Sequence, residues 1–138
     1  MKEIKIEIFT PAKAAYDGNA KSISIPGTVG NFQVLYNHAP LLSSFDTGII
    51  KIVEDENVVK EYSTGGGTVE ILDNKVLVLA ESFESPQEID KNRAEAALDR
   101  AKERLSIEGQ KKESVDLIRA EVALKRAINR LKLKKKYS

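Results

Sequence analysis

The sequence predicts an α+β chain in two parts, an N-terminal block of short β-strands followed by a C-terminal antiparallel two-helix hairpin. In the first part apolar residues alternate with polar ones, which is the period of a half-buried strand. In the second part they recur every three or four residues, which is the period of an amphipathic helix. The period changes near residues 82–86, so we expect a β domain at residues 1–84 and a helical domain at residues 85–138.

Short apolar runs separated by turn residues predict the strands of the first part. Ile4, Ile6 and Ile8 alternate with charged residues in the first of these runs. Asp73 and Asn74 favour a tight hairpin turn between the last two. Turn signals recur about every 8 to 12 residues, which is typical of a β-sandwich or a β-barrel. The other runs lie at residues 23–25, 32–35, 49–53, 58–59, 69–71 and 76–79.

The helical part opens with Ser85-Pro86-Gln87-Glu88, which fits a capping box with proline at the first helical position. Gly109 and its polar neighbours interrupt the helical period, so we expect two helices with a short connection, which favours an antiparallel hairpin. The apolar face of the first helix is mostly alanine and comprises Ala94, Ala97, Leu98, Ala101 and Leu105. The second apolar run begins at Val115 and continues through Leu117, Ala120, Leu124, Ala127, Ile128 and Leu131.

The composition excludes several functional classes. The 138 residues include no cysteine, which removes disulfide scaffolds, thiolate metal sites and cysteine nucleophiles. His38 is the single histidine, and no nucleophile or carboxylate partner accompanies it in sequence, so we interpret it as ordering a loop or contacting a partner. No apolar run reaches membrane-spanning length and the N-terminus lacks the apolar block of a signal peptide, so we expect a cytosolic chain.

Charge is distributed unevenly between the two parts. Residues 1–86 carry seven basic and twelve acidic side chains, a net charge of −5, whereas residues 87–138 carry 15 and nine, a net charge of +6. This asymmetry indicates two units with different roles, or two units that attract each other. The basic tail of Lys132, Lys134, Lys135 and Lys136 can bind nucleic acid or anionic lipid, but it also solvates a final helix and complements its dipole. Because Tyr137 is the only aromatic ring nearby, we expect no nucleic-acid partner.

Two further motifs are candidates for phosphate binding. Gly65-Gly66-Gly67-Thr68 lacks the Gly-Lys-Ser/Thr sequence and the following helix of a phosphate loop, so a bulge or a tight strand crossing is the favoured interpretation. The helical arginines are spaced to share faces, with Arg126 and Arg130 four apart and Arg93 and Arg100 seven apart. Asp90 lies three residues before Arg93 and can pair with it. Such a cluster can hold a polyphosphate, although from spacing alone a solvated face is favoured.

Three segments resemble the epsilon subunit of bacterial F-type ATP synthases, which is called delta in mitochondria. The first runs from Pro26-Gly27 through Gly30 and Phe32 to the block Asn37-His38-Ala39-Pro40-Leu41-Leu42. The second joins Gly65-Gly66 to Val69-Glu70 and to Val76-x-Val78-Leu79-Ala80, and the third is Ile89-Asp90-x-x-Arg93-Ala94. The resemblance covers nearly the whole chain in the expected order. It implies a β-sandwich of about ten strands and a C-terminal helical hairpin.

The resemblance also implies a non-catalytic rotor subunit of the central stalk, peripheral at the cytoplasmic face of the cell inner membrane. The sandwich would bind the gamma subunit and sit on the ring of c-subunits, with Asn31 and His38 of the loop from Gly30 to His38 near the contact. The hairpin would fold down on the sandwich or extend along gamma toward the alpha/beta catalytic head. In its extended form it would block ATP hydrolysis by the proton-translocating enzyme. Contact with the membrane would occur only through the complex.

The same resemblance implies that no cofactor or metal is required and that ATP is a candidate regulatory ligand. Binding of ATP would hold the hairpin in its folded form. The positions that match the ATP-binding members are Glu84, Ile89, Asp90, Arg93, Ala94, Arg100, Arg126 and Arg130. Two alternatives stay open, a free-standing nucleotide-binding β-sandwich module and an RNA- or membrane-surface-binding protein led by the lysine tail.

Overall fold

The computed structural model of the protein describes residues 2–111 and 114–138. For residues 108–111 and 114–115 it describes the backbone but not the side chains. The chain divides into two compact units, Met1–Ser85 and Pro86–Ser138. We call them the β unit and the helical unit.

The β unit is a ten-stranded antiparallel sheet that folds over on itself, with one parallel pairing between β1 and β9. Its strand order is β10-β7-β6-β3-β5-β8-β9-β1-β2, and β4 pairs with β3 outside this path. The prediction of a sandwich of about ten strands is confirmed. The strands are β1 (Ile4–Phe9), β2 (Ala14–Ala20), β3 (Ser22–Gly27), β4 (Gly30–Leu35), β5 (Leu41–Phe45), β6 (Gly48–Asp55), β7 (Val58–Thr64), β8 (Gly67–Leu72), β9 (Lys75–Ala80) and β10 (Phe83–Glu84).

The core of the β unit is built almost entirely from isoleucine and valine. Ile4, Ile6 and Ile8 are buried on β1, as their alternation with charged residues predicts. Each fully buried side chain of this size contributes about 1.5–3 kcal/mol relative to an exposed one. The other strands supply the same kind of residue, including Ile23, Ile25, Val34, Ile50, Ile52, Val69, Ile71, Val76 and Val78.

Three strands lie outside the runs that the sequence predicts. The β2 segment Ala-Ala-Tyr-Asp-Gly-Asn-Ala is poor in β-branched residues, and it forms a strand because it pairs along β1, from Ile4 opposite Ala20 to Phe9 opposite Ala14. The β5 segment lacks alternation, and β10 has only two residues. Pairing with other strands of the sheet therefore creates strands where local propensity is weak.

Two turn predictions agree with the backbone geometry. Asp73 and Asn74 have φ angles of 49° and 62°, which is the left-handed conformation that a tight hairpin turn of this type requires. Gly67 pairs with both β5 and β9, and a Cβ atom at this position would collide with the carbonyl oxygen of Leu79. The glycine run thus marks a close approach of strands, and strand β8 rather than a helix follows it.

The helical unit contains α1 (Lys91–Lys111) and α2 (Ser114–Lys136), packed as the predicted antiparallel hairpin. The predicted capping box is wrong, because α1 begins at Lys91 rather than at Pro86. Pro86 lies in a turn, and Asp90 caps the helix instead. The interruption predicted at Gly109 and its polar neighbours does not fall on Gly109 itself, since α1 continues through it to Lys111, and residues 112–113 lie outside the described residues.

The two helices carry buried alanines at the spacing that the sequence predicts. Ala94 and Ala101 are buried on α1, and Ala120 and Ala127 are buried on α2, each pair seven residues apart. Ile128 was predicted on the same face, but its side chain is 42% exposed, since it lies about 100° around the helix from Ala127. Leu133 is buried instead.

Candidate functional site

Most of the predicted nucleotide-binding residues lie in the helical unit. Glu84 is the exception, since it lies half-buried on β10 of the β unit. The residues in the helical unit are Ile89, Asp90, Arg93, Ala94, Arg100, Arg126 and Arg130. The candidate anion site is therefore a feature of the helical hairpin.

Asp90 organises the start of α1. Its Oδ1 accepts a hydrogen bond from the backbone N–H of Arg93 at 3.1 Å, and its carbonyl oxygen accepts one from the N–H of Ala94 at 2.9 Å. The Asp90 Oδ2 lies 3.9 Å from the Nε of Arg93, so the predicted pair forms. Because the Arg93 side chain is 90% exposed, this ion pair is worth less than about 1 kcal/mol and holds the guanidinium only weakly. Ile89 is buried and anchors the segment that precedes the cap.

Helical geometry places the arginines on one side of the hairpin. Successive residues of an α-helix advance by about 100°, so a residue just before a buried position points to one flank of the contact. When two helices run antiparallel, these preceding positions lie on the same flank of the pair. Four arginines occupy such positions, namely Arg93 before Ala94, Arg100 before Ala101, Arg119 before Ala120 and Arg126 before Ala127. Arg130 follows Arg126 by one turn and joins the same flank.

We call the predicted nucleotide-binding arginines of this flank, Arg93, Arg100, Arg126 and Arg130, the arginine side. The two α1 arginines are exposed, and the two α2 arginines are half-buried. Ala97 and Ala123 lie on the same flank, each three residues after a buried alanine, so at these two positions the side chain beside the arginines is only a methyl group. Guanidinium groups arranged in two rows can form bidentate, charge-assisted hydrogen bonds with phosphate oxygens. The leucines at 98, 105, 124 and 131 lie on the opposite flank.

In the β unit, the structure separates the two residues predicted to contact partners. The segment from Gly30 to His38 was predicted as a loop, but residues 30–35 form β4. Asn31 is exposed near the start of this strand and His38 follows its end. At about 3.3 Å per residue the strand alone keeps them more than roughly 10 Å apart, so they mark the two ends of one strand. Their contact with partner subunits stays a prediction.

His38 and its neighbours form an ordered connection. The N–H of His38 donates to the carbonyl oxygen of Leu35 at 3.1 Å, and its Nδ1 lies 2.6 Å from the carbonyl oxygen of Ala39. The Asn37 N–H donates to the Oδ1 of Asn74 at 2.6 Å, which ties this connection to the β8–β9 turn. These contacts support the interpretation that His38 orders its loop.

Within residues 2–111 and 114–138, no group of three or more His, Cys, Asp or Glu side chains could hold a metal ion. Neither α1 nor α2, as described, is long and apolar enough to cross a bilayer.

Comparisons with known proteins match both units to one family. The ATP synthase, Delta/Epsilon chain, beta-sandwich domain matches residues 3–86, and the corresponding long alpha-helix domain matches residues 87–135. An ATP synthase epsilon chain from Pelotomaculum thermopropionicum is 45% identical over 105 residues, covering 76% of this chain and 78% of the relative. One from Salinibacter ruber is 39% identical over 113 residues, covering 75% and 74%.

A solved structure shows the same fold. A chain in the Euglena gracilis mitochondrial ATP synthase, in a structure of OSCP, F1 and the c-ring, superposes with a TM-score of 0.76 at 20% identity, covering 91% of this chain and 77% of that one. A sandwich followed by a helical hairpin, matched in order by both domain descriptions, defines a subunit of rotary ATP synthases. The chain belongs to the ATP synthase delta/epsilon chain family. This family membership confirms the predicted class, a non-catalytic rotor subunit.

Proposed function

We propose that the chain is the epsilon subunit of an F-type ATP synthase, couples gamma to the c-ring and regulates ATP hydrolysis through its helical unit. The observation that carries this proposal is the match of both units, in order, to one family, with 45% identity to a named epsilon chain. In this role the β unit binds gamma and the c-ring. The protein is then peripheral at the cytoplasmic face of the inner membrane and reaches the membrane only through its complex.

An apolar outer face of the β unit supports docking to a partner subunit. Leu42, Leu72 and Leu79 are 74%, 49% and 52% exposed on β5, β8 and β9, which are consecutive neighbours in the sheet. Phe9 on β1 is 37% exposed and stands opposite Leu79 in the register. Exposed apolar side chains on four adjacent strands are typical of a protein–protein interface. We assign this face to gamma, with Asn31 and His38 kept as proposed contact residues at the two ends of β4.

The arginine side supports a regulatory role for the helical unit. Clustered guanidinium groups repel one another until an anion lies between them, so a nucleotide phosphate would stabilise the folded hairpin. In the extended form, the same basic surface would reach acidic surface on the alpha/beta head and inhibit hydrolysis. Regulatory ATP is thus a ligand rather than a cofactor of catalysis.

Copurification tests the proposal directly. An affinity-tagged chain expressed in its native host is recovered from detergent-solubilised membranes, and the bound proteins are identified by mass spectrometry. We expect gamma, the c-subunit and the subunits of the catalytic head to be recovered together with the tagged chain. Recovery of the chain alone, with retained ATP binding, would instead favour a free-standing nucleotide-binding module.

A second arm replaces Leu42 and Leu79 with Asp, which should abolish recovery of gamma if the apolar face is the docking surface.

A further inference from the structure

A hydrogen bond joins the two ends of the helical unit. The Nζ of Lys134, near the end of α2, donates to the carbonyl oxygen of Pro86 at 2.9 Å. The two residues are 48 positions apart and both lie in the helical unit. Lys134 is half-buried and Pro86 is buried, so this bond is shielded from water more than an ordinary surface contact.

The local structure explains why this carbonyl is available and why the lysine is held in place. Because α1 begins at Lys91, Pro86 precedes the helix and its carbonyl oxygen is not used by the helical hydrogen-bond ladder. At the other end, the Ser138 hydroxyl donates to the carbonyl oxygen of Lys134 at 2.8 Å and closes the last turn of α2. Leu133, directly before Lys134, is buried. The contact therefore links an ordered helix end to the segment that leads into the hairpin.

The charges around Lys134 make the contact easy to release. A cavity of about 350 Å³ beside it is lined by Lys91 and Lys135 as well as by Lys134 itself. Glu95 is the acidic side chain of this cavity, and it lies 4.0 Å from the Nζ of Lys91. The Lys134 ammonium is thus held by a neutral carbonyl in a basic neighbourhood, where like charges oppose its retention.

We propose that the Lys134–Pro86 hydrogen bond is the closing contact of the hairpin. It holds the end of α2 beside the segment at residues 86–90, and α2 moves away from α1 only after this bond breaks. The regulatory consequence of this proposal rests on the proposed function, whereas the closing contact itself is a property of the isolated chain. Its loss shifts the hairpin toward open forms without removing any part of the arginine side.

Hydrogen–deuterium exchange of the full-length isolated chain tests the contact. Lys134→Met removes the donor but keeps the unbranched stem and a similar helix propensity. Lys135→Met, at the exposed neighbouring position, removes a like charge from the same cavity and keeps the donor, so it is the control in which exchange should not rise. A hydrogen bond from a charged donor is worth enough that Lys134→Met should raise amide exchange in residues 128–136 roughly 5- to 10-fold. Lys134→Arg, which still donates, should stay near wild type. Equal exchange in the Lys134→Met and Lys135→Met variants would overturn the proposal.

The assembled complex separates this proposal from the regulatory function. Reconstituted with the Lys134→Met variant, the complex should hydrolyse ATP several-fold more slowly than with Lys135→Met, because the open hairpin is more populated. If exchange increases in the isolated chain but the two complexes hydrolyse ATP equally, the closing contact stands and the inhibitory function is wrong. If exchange is unchanged, the closing contact is wrong whatever the complex does.

Discussion

Tyr16 shows how a single side chain connects the two edges of the folded sheet. It lies half-buried on the edge strand β2, and its ring packs edge-on against Tyr62 of β7 at a centroid distance of 6.2 Å. Tyr62 in turn stacks on Phe83 of β10, with centroids 4.2 Å apart. The edge strands β2 and β10 are therefore joined through aromatic contacts although they share no hydrogen-bond ladder in the strand order.

The surroundings of Tyr16 predict a pH dependence of stability. Burial, followed by the charge of Glu54, raises the pKa of Tyr16 far above its ordinary value of 10.0. A raised pKa in the folded state means that the tyrosine stabilises the fold below pH 10 and that this contribution disappears as the pH rises above 10. At pH 7, Tyr16→Phe should lower the free energy of unfolding by about 1 kcal/mol, because it removes the interaction of the hydroxyl with the Glu54 carboxylate. Above pH 10, the variant should lose less stability than wild type.

Urea unfolding at pH 7 and at pH 10.5 measures this difference. Tyr36→Phe serves as the control, since its ring is 40% exposed and it should leave the free energy of unfolding unchanged at pH 7. A constant gap between the wild type and the Tyr16→Phe variant at both pH values would show that Glu54 and burial do not perturb Tyr16.

Arg126 carries the most specific prediction for nucleotide binding. We expect the isolated chain to bind ATP without hydrolysing it, because the predicted site offers phosphate donors but no assembled acid–base group. Arg126→Ala should weaken ATP binding at least about 10-fold, since it removes a charge-assisted contact at a half-buried position. Lys102→Ala, which removes one exposed cation from α1 away from the arginine side, is the matched control.

Isothermal titration calorimetry on the purified chain decides the matter. Binding by wild type and Lys102→Ala, with loss in Arg126→Ala, supports the arginine side as a phosphate site. Absence of heat at millimolar ATP, or equal affinity in all three chains, would show that the arginines do not bind phosphate and form only a solvent-exposed surface.

At the scale of elements, the buried alanines determine how closely α1 and α2 pack. Ala127→Leu adds three carbon atoms at a position that is 1% exposed, so it should destabilise the hairpin by roughly 1–3 kcal/mol through overpacking. Ala96→Leu makes the same change at an exposed position of α1 and should leave stability within about 0.5 kcal/mol of wild type. Amide exchange resolved along α1 and α2 measures both effects. Similar protection in the two variants would argue against close packing at Ala127.

The start of α1 shows why an element boundary is harder to predict than the element. Ser85 to Glu88 satisfies the local pattern of a capping box, yet Asp90 caps the helix. Both positions offer a side-chain acceptor, so local chemistry does not choose between them. The burial of Pro86 and Ile89 selects the turn before the helix, and burial depends on the folded unit.

At the scale of the whole molecule, the two units should have separable functions. A chain truncated after Ser85 retains the Ile/Val core and the apolar outer face of the β unit, so it should still bind gamma and support ATP synthesis. Without the basic helical unit the complex should hydrolyse ATP faster. The gain over the full-length complex should shrink at high salt, because salt weakens the charge interactions that inhibit.

ATP hydrolysis by complexes reconstituted with the full-length or truncated chain tests this division at 50 and 500 mM salt. The control is a Leu42→Asp and Leu79→Asp double variant of the truncated chain, which should fail to assemble. Failure of the truncated chain to bind gamma would show that assembly needs the helical unit. Identical hydrolysis by both complexes would argue against inhibition.

The sequence by itself determined the change from strand period to helical period, the alanine spacing of the hairpin and the segments that resemble the epsilon family. These features depend on neighbouring residues and on spacings of a few positions, which a single chain displays directly. Only the tertiary structure decided the pairing of β2 with β1, the cap at Asp90 and the hydrogen bond between Lys134 and Pro86. Each of these depends on packing or on partners that the fold, rather than local propensity, brings together.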